Sequence, residues 1–166
     1  MDGTQARLMS LVDDIVRAYR APRSVMQAQI DRGITEAQTL FYGMLFGVIN
    51  LIANYPRIVN TQTDPDVIKG MISGMFIAYI FLLPLMLYAL AGVIHWVLMK
   101  FGGKASWAEA RRAFNWSAVC VIPFVLCSGA VYVFKSNLLT DVLNLVVAAI
   151  FFWQVYANFK YIEFKR

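Results

Sequence analysis

Polar and apolar positions along the chain separate into long uncharged stretches and short charged ones. Residues 37–56, 70–99, 113–134 and 142–159 contain no Asp, Glu, Lys or Arg. A helix needs about 20 mostly apolar residues to cross the hydrocarbon of a bilayer. The pattern therefore predicts an all-α fold, a polytopic membrane helical bundle of four transmembrane helices, with spans at about 36–55, 67–100, 107–134 and 138–160. The second stretch has 30 uncharged residues between Lys69 and Lys100. That is too short for two spans and a turn, so one long tilted helix, kinked at Pro84, is expected.

Residues 1–34 form a separate N-terminal segment with a different period. Leu8, Leu11, Val12, Ile15, Val16 and Tyr19 recur at helical spacing, with Arg7, Asp13, Asp14, Arg17 and Arg20 opposite them. Pro22 suits the first turn of a second short helix, and Gly33 its stop. Two readings are open for this amphipathic region: a cytoplasmic helical pair packed on the spans, or a helix lying on the bilayer surface. No signal-peptide-like apolar stretch occurs there, so insertion is expected to begin at the first span.

Punctuation between the spans is specific. Thr35 with Gln38 has capping-box spacing before the first span, which is expected to stop at Tyr55-Pro56-Arg57. Asp64-Pro65 marks the next helix start. Gly102-Gly103 should end the long helix, and Ser106 with Glu109 forms a second capping box that begins the return. Pro123 should bend the third span. Lys135-Ser136-Asn137 reads as a short external turn.

Composition narrows the class. Charged residues make up only 15% of the chain and hydrophobic ones 60%, against about 25% charged in ordinary soluble domains. The net charge of +5 reflects topology, because twelve Lys or Arg fall on one side of a four-span chain and three on the other. Basic residues stay in the cytoplasm, so both termini are expected there. The basic tail is interleaved with Asp2, Asp13, Asp14, Asp31 and Glu36, which argues against nucleic acid. Cys120 and Cys127 lie seven residues apart, about 10 Å along a helix, too far to bridge.

Candidate chemistry is sparse. In the first span Gly43, Gly47, Asn50 and Asn54 form one stripe, which suits either close helix packing or the wall of a polar path or dimer seam. Gly70, Gly74 and Ala78 offer an edge that could receive it. Gly102-Gly103-Lys104 lacks the spacing and the strand-to-helix setting of a nucleotide loop, so no nucleotide is expected. Lys100, Lys104, Arg111 and Arg112 are candidate contacts for anionic lipid headgroups. His95 is the only histidine and has no metal-ligand companion at sequence spacing. A structural hydrogen bond is the simpler role, with pH sensing or binding as the alternative. The span centres lack ionisable side chains, which disfavours ion pumping. No catalytic set, metal or cofactor is indicated.

The segment HWVLMKFGGKAS, residues 95–106, resembles bacterial members of the Yip family, the Ypt/Rab-interacting membrane proteins. His95, Gly102, Gly103, Lys104, Ser106, Glu109 and Pro123 carry the resemblance, and APRSVM (21–26) and Tyr55-Pro56-Arg57 are similar to other elements of the family. The resemblance implies an α-helical protein of the bacterial inner membrane with a cytoplasmic N-terminus and no enzymatic activity. The family commonly has five spans, whereas this pattern gives four, and the acidic-Leu-Tyr-Gly-Pro motif of eukaryotic relatives does not occur. The expected function is organisation of membrane partners or lipids through the cytoplasmic face. The alternative is a small transporter, channel or lipid-transfer protein using the Asn50/Asn54 stripe. The expected partners are membrane lipids, with a membrane-protein partner or a homo-oligomer as the further candidates.

Overall fold

A computed structural model describes residues 3–33, 35–132 and 137–164, with the side chains of 3–10 and 137 excluded. The expected turn at Lys135-Ser136 lies outside the described residues, as do Lys165, Arg166 and the side chains of Arg7 and Leu8. The described residues are helical, in the order α1 (Gly3–Ala18), α2 (Pro22–Asp31), α3 (Glu36–Thr61), α4 (Pro65–Ile77), a π-helical turn (Ala78–Leu82), α5 (Leu83–Lys100), α6 (Trp107–Cys120), α7 (Ile122–Val131) and α8 (Asn137–Phe164). Four rods are long and apolar enough to cross a membrane: Glu36–Thr61, Pro65–Lys100, Trp107–Val131 and Leu138–Phe164.

The third rod is the axis of the bundle. Half of its most apolar window is buried, against 17% for the second rod and 11% for the fourth. Side chains on those outer rods, such as Phe81, Leu85, Leu145 and Phe152, project outward. Such exposure suits hydrocarbon as solvent. Around the axis the core divides in two. The larger cluster joins Trp116, Phe114, Val119, Phe159 and Met26 toward the end of the bundle that holds residues 101–106, here called the hairpin end. A smaller one joins Ala53, Val121 and Val125 near mid-height.

Each proline acts through its missing N–H and bulky ring. Before Pro84 the backbone widens into the π turn, with the Leu83 N–H bonded five residues back to the Ala78 carbonyl. Before Pro123 the helix breaks at Val121. Pro56 departs from expectation: α3 continues through it to Thr61. The proline cannot donate to the Ile52 carbonyl. The last turn is nonetheless held, because Asn60 Nδ2 donates to the Pro56 carbonyl and Thr61 Oγ1 to the Arg57 carbonyl, both at 2.8 Å. The expected loop 56–66 shrinks accordingly. The fourth helix also outruns its expected end at 160, and the extra turn matters below.

The N-terminal pair enters the bundle. Ile15, Ala18, Val25 and Met26 join the large cluster, while Val12 and Val16 face outward. The break at Val121 turns the Phe124 N–H onto the Val121 carbonyl, leaving the Cys120 carbonyl without its usual partner. The Tyr19 hydroxyl donates to it, and the Tyr19 ring stands edge-on to Phe124. Burial pushes the Tyr19 pKa up to about 12, so the hydroxyl remains a donor at any ordinary pH. Gln154 Nε2 bonds the Ala18 carbonyl at 3.0 Å. Cys120 lies thirteen residues past Trp107, about 20 Å along the axis. The α1–α2 turn therefore reaches between the rods, as a helical pair packed on the spans.

Candidate functional sites

The hairpin between α5 and α6 is built from its end signals upward. Gly102 takes φ +87°. Its N–H bonds the Met99 carbonyl, and the Gly103 N–H bonds the Leu98 carbonyl. This is the pairing of a Schellman stop, with glycine at the left-handed position. Ser106 and Glu109 then form a complete reciprocal capping box.

What locks the hairpin comes from 58 residues further along. Glu163, in the last turn of α8, is 2% exposed, and His95 is 1% exposed. His95 Nδ1 lies 2.6 Å from Glu163 Oε1. The two side chains share one buried hydrogen bond. The other oxygen, Oε2, accepts the Ala105 N–H at 3.0 Å, and the Glu163 carbonyl accepts the Lys104 N–H at 3.2 Å. Trp107 packs edge-on to the His95 ring with centroids 4.7 Å apart. A Cβ at Gly103 would fall 2.4 Å from Glu163 Oε2, so the second glycine is what admits the carboxylate.

Glu163 is the residue that sequence reasoning missed, and it is the partner in the structural hydrogen bond expected of His95. Its only signal was its position four residues past Phe159 and next to Ile162, on the buried face at the end of α8. Asn158 itself bonds Ser117 Oγ at 2.9 Å, completing a polar seam between α8 and α6.

The four candidate headgroup cations do not form one patch. Lys100 lies over the Trp96 ring, and Lys104 is exposed beside Phe101, itself 75% exposed. Arg111 is committed elsewhere: its guanidinium bonds Glu36 at 2.5 Å and covers the Tyr88 ring, tying α6 to α3 and α5. Arg112 is half-buried. Only Lys100 and Lys104 are displayed outward at the hairpin.

The stripe on α3 divides into two halves. A Cβ on Gly47 would meet the Tyr79 carbonyl oxygen at 2.0 Å, and one on Gly43 would meet Asn115 Oδ1 at 2.7 Å and Pro84 at 3.4 Å. These glycines therefore receive the π turn and Pro84. Gly70 and Gly74 have open space where a Cβ would stand, so of the edge expected to receive the stripe only the Ala78 end, which opens the π turn, packs on α3. The π turn displaces the contact one to two turns further along. Asn50 and Asn54, by contrast, donate to the Phe46 and Asn50 carbonyls at 2.8 and 2.9 Å, and Asn54 also reaches the Tyr79 hydroxyl. They line a cavity of about 420 Å³ at the far end of the bundle, between α3, α7 and α8. Ala53, Val125 and Val147 close it toward mid-height, where they meet the smaller core cluster.

Compared with known proteins, residues 17–163 match the Yip1 domain. No curated protein and no solved structure matches the chain.

Proposed function

The chain belongs to the Yip1 domain family and is a multi-pass membrane protein, and from that premise we propose that it is a non-enzymatic protein of the bacterial inner membrane that organises lipids or partner proteins through a cytoplasmic face. The hairpin end is that face. The twelve-to-three distribution of basic residues supports this orientation. The observation that carries the reading is the buried His95–Glu163 lock. It fixes the hairpin from both strands of its turn while Lys100, Phe101 and Lys104 point outward. A rigid turn with an aromatic between two cations suits an interface of anionic headgroups or a partner's acidic surface.

The transport reading draws on the cavity at the far end. Among the described residues its floor is apolar, made of Ala53, Val125 and Val147, which favours binding over conduction.

A photo-crosslinker placed at Phe101 in native membranes tests the proposal. Adducts to lipid or protein are expected, and they should weaken several-fold when Glu163→Ala releases the hairpin. Vesicles holding the purified protein that moved lipid or solute at rates abolished by Asn50→Leu would overturn it.

A further inference from the structure

The far-end cavity is lined by two exposed charges that do not pair among the described residues. Arg57 enters from α3 and Asp141 from α8. Neither makes an ion pair or side-chain hydrogen bond among the described residues, and they do not reach each other. A cation and an anion facing one cavity without meeting leave both charges to water or to a ligand that satisfies them together. The wall between them is polar and already organised. Ser128 Oγ donates to Asn144 Oδ1 at 2.5 Å, and the Asn50 and Asn54 amides are held by backbone carbonyls. Such prior fixing lowers the ordering cost of binding.

Depth and surroundings narrow the ligand. Asn50 lies seven residues inward of Arg57, about 10 Å along the helix, so the cavity spans the headgroup layer and the first part of the hydrocarbon. Beside it α8 presents Leu138 and Leu145, 77% and 71% exposed, and α3 presents Ile52 and Val59. Acyl chains have apolar surface to follow on both flanks. Two opposite charges, hydroxyls and amides above an apolar floor match a zwitterionic phosphodiester.

We propose that this cavity is a binding site for a phosphoethanolamine headgroup, whose phosphate meets Arg57 and whose ammonium meets Asp141. The guanidinium fork fits phosphate oxygens, and an ammonium can donate hydrogen bonds to a carboxylate, which a trimethylammonium cannot. The site lies at the opposite end from the hairpin face and does not depend on the function assigned there.

The test uses the full chain, purified in detergent and exposed to equimolar phosphatidylethanolamine, phosphatidylcholine and phosphatidylglycerol, with bound lipid counted by native mass spectrometry. Phosphatidylethanolamine should be retained in preference to both others. Arg57→Gln and Asp141→Asn should each reduce its retention about ten-fold, the factor for one lost charge-assisted hydrogen bond. Asp141→Glu should restore most of it, and Lys100→Gln at the other end should not alter it. Melting of each variant is followed in parallel so that unfolded protein is not counted as unbound. Soluble glycerophosphoethanolamine distinguishes the source. Protection of the wild type by it, lost in both variants, assigns the site to a free headgroup, and protection by the lipid alone assigns it to the membrane. Equal retention of the three lipids, or loss on Arg57→Gln without loss on Asp141→Asn, would overturn the proposal.

Discussion

At the scale of single residues, the chemistry of this protein depends on side chains that find partners far away in sequence. His95 is legible as unusual because it is the only histidine and sits near the end of an apolar run. Its partner is not legible. Glu163 falls beyond the uncharged stretch and among Lys160, Lys165 and Arg166, where a carboxylate reads as part of a charged tail. Only the packing of α8 against the hairpin turns it inward. Gly103 shows the same limit: a pair of glycines announces a turn, but only the proximity of Glu163 explains why the second cannot be alanine. Removing one member of a buried hydrogen-bonded pair leaves the other without a partner. Glu163→Ala should therefore lower stability by about 3–5 kcal/mol, read as the denaturation midpoint in detergent. The His95→Ala, Glu163→Ala double variant should cost clearly less than the two single changes added together. Additive losses would mean that the two side chains act independently.

At the scale of elements, sequence signals with a local cause were readable and those with a tertiary cause were not. Both capping boxes and the Asp64-Pro65 start depend on a few adjacent residues, and each forms as its spacing requires. The stop expected at Pro56 failed: the proline removes only the bond to the Ile52 carbonyl, and the backbone ladder continues to the Gln62 N–H on the Ile58 carbonyl. A disturbance of the helix at Pro84 was legible, but not its form, a π turn. A widened turn pushes the Tyr79 carbonyl toward α3, and Gly47 is where that carbonyl fits. Substitution at the contact must move backbone on one side or the other. Gly47→Ala should destabilise the bundle by about 1–3 kcal/mol, whereas Gly74→Ala, with open space around it, should be neutral or slightly stabilising. Thermal unfolding of the two variants side by side measures this, and equal midpoints would remove the π turn from its place against α3.

At the scale of the whole molecule, the number and order of the spans were written plainly in the spacing of charges, because a bilayer imposes a minimum apolar length on every rod. The path of the N-terminal pair was not, since amphipathic periodicity gives a buried face without saying what buries it. In the structure the pair rises to the break in the third rod, and Tyr19 occupies a carbonyl that Pro123 leaves behind. Orientation has a direct measurement. With Cys120 and Cys127 replaced by alanine, a cysteine at Lys104 should react with an impermeant maleimide only in inside-out vesicles, and one at Asp64 only in right-side-out ones. The reverse pattern would invert the assignment of faces. The cavity also reshapes the electrical profile of the membrane. Electrolyte filling it carries the far-side potential about 10 Å inward, and the remaining drop falls across what is left of roughly 30 Å of hydrocarbon. The voltage gradient through Val121 and Val125 is then steeper than in the surrounding lipid, so the insulation at the foot of the cavity is a layer of valines.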